Sequence, residues 1–437
     1  MTSGGGRTCD HRGMAQVIQA PALKVGPAHA QGPVAVVTRR AADRLREGSV
    51  WVYRSEIEQV RPAADATAVV PGSLVTVLDG RGIPIGTALF SSASQITLRM
   101  VSAAAGLSRE GFLTLVEERV NAAISLRERL APVSDQNNAC RLIFSEADEL
   151  PGIVVDRYND IAILQLLTQA TAQDDVRGVL ERVLRQRLMP ATVVERPDPR
   201  IRQVEELPFV ASEFLYSDRE EAKLWTTFTI NGLHFGYDAT AGQKTGAFLD
   251  QRLNYAAAAS YASGTALDVC TYQGGFALHL AQVCDRVTGV DASRSALEVA
   301  DKNLALNPGL KAKTDWIEAD AFDLLREFEG TGKKFDTIVL DPPAFAKSKR
   351  ATEGAVRGYK EMNLRAMKML NPGGTLVTCS CSHHVSMEEF TAVVASAAAD
   401  SHKRVQVLEA RGAAPDHPAI LTLPETSYLK CLICRVG

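Results

Sequence analysis

Two cysteines stand two residues apart in the run Thr378-Cys379-Ser380-Cys381-Ser382-His383-His384, near the C-terminal end of the chain. On a strand such a pair shares one face, with Ser380 on the other. A single cysteine is most often a small buried hydrophobe. A thiol just beyond the end of a ligand-binding strand is different, because it can reach a substrate and act as a nucleophile. Metal ligation is the competing use of Cys379, Cys381, His383 and His384. Their alternating spacing is not that of a zinc site, and the CxxC of Cys431 and Cys434 lies in an apolar run with no second such pair, so no metal is expected.

Upstream stands Leu340-Asp341-Pro342-Pro343-Ala344-Phe345. Two successive prolines fix two φ angles and remove two donors, which makes a stiff loop that holds Asp341 and Phe345. An acid beside an aromatic ring suits a planar base: the ring stacks on it and the acid bonds its edge. Pro342, Pro343 and Phe345 are therefore candidates for substrate contact. Lys347, Lys349 and Arg350 follow at once, with Arg357 and Lys360 beyond, and offer phosphate contacts or simply a solvated basic face. Arg39, Arg40, Arg44 and Arg46 form a second such cluster.

Three further acids fall at the ends of successive strand-like runs. The stretch LDVCTYQGGFALHLA carries Asp268, Tyr272, Gly274 and Gly275, the glycines allowing close backbone approach to a ligand. Asp291 ends the next strand, where a carboxylate can accept from both hydroxyls of a ribose. Asp320, followed by Ala321, ends the third and is placed to receive an adenine amino group or to cap a helix. Together the three imply a nucleoside ligand.

The elements that must position these residues alternate from Gly264 onward: strand TALDVC, a helix, RVTGVDA, a helix, DWIEAD, a helix, FDTIVLDPP, a helix, then GTLVTCSCS. Such alternation predicts an α/β domain with a mostly parallel, Rossmann-like sheet, whose ligands bind at the carboxyl ends of the strands. Ahead of it, residues 1–33 read as a disordered tail, 34–105 as a small β-rich domain, and 106–222 as a small central α/β domain with an amphipathic helix over about 108–132. The Asn-Gly step in FTINGLHFGYD predicts a hairpin at the start of the last domain, 223–437.

A chain of 437 residues exceeds what one core organises, in keeping with several domains. It has neither an apolar run of the roughly 20 residues that span a membrane nor a secretory leader, so the cytoplasm is the expected location. Eight cysteines without framework spacing suit a reducing compartment. The formal charge of -3 gives no global attraction to nucleic acid, which confines any RNA site to a local patch.

Taken together the motifs WVYRSEI, RLIFSEADELPGIVVDRY, GQKTGAFLDQR, YQGGFAL, VDASRSALEVADKN, FDTIVLDPPAFAKSK, RGYKEMNLRAM, SCS, DHP and YLK resemble those of the RlmI-like family of bacterial S-adenosylmethionine (SAM)-dependent 23S rRNA cytosine-5 methyltransferases, from about residue 34 to the C-terminus. The resemblance implies a PUA-like RNA-binding domain at about 34–105, a small central domain, and a methyltransferase domain using SAM on 23S rRNA or a ribosomal assembly particle. It implies that Cys381 is the nucleophile, that Asp341 is the acid at the base, and that GQKTGAFLDQR closes over SAM with Lys244, Phe248 and Gln251. Ala344 stands where many RNA cytosine-5 methyltransferases carry a second cysteine. The alternatives are a guanine-N7 rRNA methyltransferase, whose DPP-type loop is similar but which needs no thiol, and a SAM-binding assembly factor without catalysis. The oligomeric state stays open, a homodimer among the options.

Overall fold

A computed structural model describes residues 22–240, 246–345 and 352–437, whose strands form four sheets. The first is built from β1 (Val34–Val37), β2 (Trp51–Tyr53), β3 (Ile57–Arg61), β4 (Leu74–Leu78), β5 (Pro84–Phe90) and β6 (Ile96–Ser102), in the order β2-β6-β5-β4-β1-β3. Between its first two strands lies a helix that the sequence reading did not anticipate, α1 (Arg39–Arg46), with the Thr38 side chain accepting from the Ala41 amide. Only Ala41, Ala42 and Leu45 face the core, too few apolar residues to show a helical period. The tail expected over 1–33 is also corrected in part: residues 1–21 lie outside the described residues, but the Gly26 and His29 amides donate to Val60 and Pro62 carbonyls at 2.8 Å. This stretch is held by main-chain pairing along β3, which needs no hydrophobic period and so leaves no mark in composition.

The second sheet has the order β11-β10-β9-β8-β7, from β7 (Ala139–Phe144), β8 (Ile153–Tyr158), β9 (Ile161–Leu166), β10 (Thr192–Glu195) and β11 (Glu213–Ser217). Helices α2 (Arg109–Leu130) and α3 (Asp174–Leu188) cover one face, with Phe112, Val116, Val120, Leu180 and Leu184 in one core. The short α4 (Pro199–Val204) begins at Asp198, whose side chain caps it. On the other face Tyr158, Ile161 and Ile163 pack with Phe228 and Phe235 of the hairpin β12 (Trp225–Ile230) and β13 (Leu233–Asp238). Asn231 and Gly232 turn that hairpin with φ of 51° and 81°, as a two-residue primed turn requires.

The third layer is the sheet that carries the site. After α5 (Arg252–Tyr261) come β14 (Thr265–Val269), α6 (Gly275–Leu280), β15 (Arg286–Asp291), α7 (Arg294–Ala305), β16 (Lys313–Glu318), α8 (Ala321–Gly330), β17 (Phe335–Leu340), α9 (Thr352–Met369), β18 (Leu370–Ser380), α10 (Met387–Asp400), β19 (Val405–Arg411) and β20 (Lys430–Val436). The order is β16-β15-β14-β17-β18-β20-β19, parallel except for β20, which runs antiparallel between β18 and β19. The mostly buried residues of β14 and β17, and of the second half of β18, follow from cover on both faces. Phe276 and Tyr255 pack on one face, Leu325, Met362 and Phe390 on the other. No helix among the described residues is long and apolar enough to cross a membrane.

Candidate active site

The strand order reverses at β14, which has β15 on one side and β17 on the other, so the loops after these strands splay apart and leave a crevice. The turn after β14 is tight: Cys270, Tyr272 and Gly274 all have positive φ, of 66°, 51° and 87°. A Cβ at Gly275 would stand 2.5 Å from the Tyr255 ring, so this glycine serves close packing of helix on helix. Asp268 is fully buried, its Oδ2 accepting from Thr271 Oγ1 at 2.5 Å and the Ala277 amide at 2.9 Å, and its Oδ1 has no partner. Burial pushes its carboxyl up to about 7, against the two bonds it accepts and helped by the charge of Asp291.

Asp291 ends β15 with Oδ2 accepting from the Tyr272 amide at 2.9 Å and Oδ1 from the Ser293 amide at 2.8 Å, and it stays half-exposed. Asp320 caps α8, its Oδ1 accepting from Phe322 and Asp323 amides at 2.9 and 3.2 Å, with Ala321 the first helical residue. Phe248, Tyr255, Thr271, Tyr272, Phe276 and Asp341 line a pocket at this edge, and the Phe248 and Tyr272 ring centroids lie 5.0 Å apart. An orphaned buried carboxylate oxygen, a half-exposed strand-end acid and flanking aromatic rings fit a ligand that joins an amino acid to a nucleoside. Lys244 lies outside the described residues.

Asp341 follows β17, its amide bonded to the Val269 carbonyl at 3.2 Å. Gln251 Nε2 donates to Asp341 Oδ1 at 3.1 Å, and Gln251 is itself oriented by Asn254 Nδ2 at 2.6 Å. Burial, then the negative charges of Asp250 and Asp268, push the Asp341 carboxyl up to about 8, with the Gln251 bond opposing. Asp250, which the sequence reading did not single out, accepts from Tyr428 Oη at 2.5 Å. Both lie inside motifs that carried the family resemblance, but an acid on the short turn before a helix has no period to reveal it.

Pro342 is buried and Pro343 exposed. Phe345 is half-buried, its ring 4.8 Å from that of Tyr359 and 5.7 Å from that of Phe322. The two cysteines part company at the end of β18. Cys379 is in the ladder opposite Cys431 and is fully buried, which pushes its thiol well up. Cys381 lies past the last pair, Ser380 with Lys430, where the chain has left the strand, so the shared face expected for the two is lost. It is half-buried, and its thiol donates to the Pro342 carbonyl at 3.9 Å, beside Asp341.

Lys347, Lys349 and Arg350 lie outside the described residues. Arg357 is exposed, while Lys360 pairs with Asp400 at 2.7 Å. In the N-terminal cluster Arg39, Arg40 and Arg46 are exposed, Arg44 and Arg46 being engaged by Glu56 and Asp79 at 2.7 and 2.6 Å and Arg39 pairing with Asp43 at 3.8 Å.

Residues 148–432 match the family model described as S-adenosylmethionine-dependent methyltransferase, and residues 35–103 match that of a PUA-like domain. The chain is 36% identical over 388 residues to the ribosomal RNA large subunit methyltransferase I of Erwinia tasmaniensis, spanning 88% of this chain and 95% of that one. It is 35% identical to the protein of the same name from Photobacterium profundum, over 90% and 96% of the two chains. Among solved structures, a SAM-dependent methyltransferase from Streptococcus mutans has the same fold, with a TM-score of 0.76 at 18% identity over 92% of this chain and 99% of that one.

Proposed function

Since the chain belongs to the ribosomal RNA large subunit methyltransferase I family of SAM-dependent enzymes, we propose that it methylates C5 of a cytosine in 23S rRNA through a covalent adduct with Cys381. Cytosine C5 is too weak a carbon nucleophile to take a methyl group unaided. Addition of the Cys381 thiolate to C6 turns C5 into an enamine carbon, and the electron pair displaced onto the ring is received at N3. Asp341, held near pKa 8, carries a proton at neutral pH and supplies it there. The enamine carbon C5 then bonds to the methyl group and passes its proton to solvent, and as N3 returns its proton to Asp341 the thiolate is expelled and the aromatic ring is restored.

SAM supplies an electrophilic methyl group when bound. Asp268 and Asp291 are the acids that hold its amino and ribose groups, with Phe248 and Tyr272 at the pocket walls. Asp320 and Ala321 border the adenine side, and the two prolines with Phe345 form the wall against the base. The PUA-like domain at 35–103 provides the RNA contact remote from the chemistry.

The observation that supports this reading most directly is the thiol of Cys381 at 3.9 Å from the Pro342 carbonyl, next in sequence to the Asp341 carboxyl, which burial pushes upward. Guanine-N7 methylation would need neither. RNA with 5-fluorocytosine at the target cannot lose a C5 proton, so it should trap the enzyme covalently, with the link at Cys381 by peptide mapping. Cys381→Ala should abolish methyl transfer and keep binding of S-adenosylhomocysteine (SAH). A Cys381→Ala enzyme that still methylates at a comparable rate would hand the reading to the nitrogen alternative.

A further inference from the structure

An ordinary thiol is only a few per cent ionised at neutral pH, so a cysteine nucleophile needs a group that favours its thiolate. Lys430 is the first residue of β20 and the cross-strand partner of Ser380, the residue directly before Cys381. Its side chain is 3% exposed. Its ammonium donates to the carbonyls of Ser382 and Tyr428, both at 2.6 Å. The first of these belongs to the residue directly after Cys381, and two carbonyls leave one of the three ammonium donors over.

No carboxylate among the described residues forms an ion pair with Lys430. Glu389 acts on it, but its Oε2 already accepts from the Ser386 amide at 2.7 Å. A buried ammonium with neutral partners alone is costly, and such a group is retained where a negative charge visits it. Burial lowers Lys430 to about 8, and the main opposing influence is Cys381, ahead of Glu389. The attraction is reciprocal: a thiol whose negative charge favours the ammonium is favoured by it in turn.

Among the described residues, several other side chains and carbonyls in contact with this turn are neutral donors and acceptors. Tyr359 of α9 shares its hydroxyl with Ser382 Oγ at 2.8 Å and Ser380 Oγ at 2.9 Å, Tyr428 donates to Asp250, and Pro342 offers a carbonyl. His383 is exposed, with Nδ1 at 3.0 Å from the Glu425 carbonyl.

We propose that Lys430 activates the nucleophile: its ammonium stabilises the Cys381 thiolate and, through the Ser382 carbonyl, fixes the turn that presents it. Lys430 is thus a positioning residue for the thiol, and the idea rests on Cys381 being the nucleophile. The thiol proton leaves to solvent before the base is engaged, and the thiolate expelled at the end of the cycle returns to the same ammonium.

The test is the pH dependence of iodoacetamide alkylation at Cys381 in the full-length protein, followed by peptide mass spectrometry. Lys430→Met should move the midpoint up by about one unit or more, since an opposite charge close by shifts a pKa by roughly that much. Its methyl transfer should fall and recover in part at alkaline pH, while Lys430→Arg keeps a midpoint near that of the parent. Equal midpoints in the parent and Lys430→Met overturn the proposal. Should Lys430→Met fail to fold, judged by loss of SAH binding, the parent enzyme decides alone: a midpoint well below the usual value of about 8.5 supports the proposal, and one at or above it overturns it. Active Cys381→Ala would instead remove the covalent reading, an outcome that alkylation does not share.

Discussion

At the junction of the central and C-terminal sheets, Asp416 accepts from Arg252 Nη2 at 3.2 Å and from the Arg141 amide at 2.9 Å, while its carbonyl accepts from Arg127 at 2.9 Å. Arg127 is in turn paired with Asp148, and Arg141 with Asp156. At the strand ends of the C-terminal sheet, Asp341 meets Gln251 and the carboxyls of Asp250 and Asp268. Burial alone would raise both acids. Around Asp416, His417, Arg252 and the Arg141 amide reverse this and hold its carboxyl below the usual carboxylate range, whereas around Asp341 like charges add to burial and take it to about 8. Enclosure therefore sets the scale of a shift, and the sign comes from the neighbours. One cluster holds its acid ionised among arginines and a histidine at the junction of the two sheets; the other pushes its acid toward the protonated form.

The contrast can be broken at either end. Asp341→Asn should reduce methyl transfer by about 10²- to 10⁴-fold, the usual worth of a positioned proton donor, because an amide cannot give one up. The same variant should lose no stability. With its folded pKa raised, Asp341 retains a proton between about pH 4 and 8 that the unfolded chain has released, so the parent is progressively destabilised by this group as pH rises through that window. The urea midpoint of Asp341→Asn should therefore gain on that of the parent from pH 4 to pH 8, and a variant less stable at pH 8 would place Asp341 with the structural acids.

Asp416→Ala should cost about 3–5 kcal/mol of unfolding free energy, because it leaves Arg252 buried without its partner. The folded fraction should still bind SAH. In the parent, a carboxyl depressed on folding stabilises above about pH 4, and that contribution disappears as pH falls below it. A urea midpoint that does not move in Asp416→Ala would contradict the structural role. The smallest effect is expected at Asp291, half-exposed and held by two amides. Asp291→Ala should weaken SAM binding by calorimetry by about 10- to 150-fold, the loss of 1.5–3 kcal/mol of charge-assisted bonding, with stability nearly unchanged. Unchanged affinity would take Asp291 out of the ribose site.

Much of this was legible in the residues. The alternating strands and helices after Gly264, the helix at Arg109–Leu130 and the Asn231-Gly232 turn all follow from periodicity and turn chemistry. The strand-end acids were legible as candidates because a parallel sheet puts them at one edge, whereas the choice of Cys381 over Cys379 came from the resemblance of the SCS motif and not from strand geometry. What the sequence concealed was set by pairing between distant segments. Reversal of β20, which brings Lys430 opposite Ser380, is a matter of strand order, on which an apolar run carries no information. Tyr428 against Asp250 joins positions far apart in the chain, and the pairing of Gly26 and His29 along β3 is main-chain only. Asp320 was open between ligand and cap on residue type, and its side chain is occupied as a cap.

The distribution of thiols bears on oxidation chemistry. Five of the seven cysteines described are buried, and Cys270, half-buried at the pocket turn, is driven upward in pKa by its surroundings and by Asp291, so it stays protonated. Peroxide reacts with thiolates that solvent can reach. Among the described residues those conditions meet at Cys381, beside the Lys430 ammonium. On the proposed reading, in which Cys381 is the nucleophile, an oxidant should stop methyl transfer at that sulfur while the buried thiols are spared, so that activity goes before structure does.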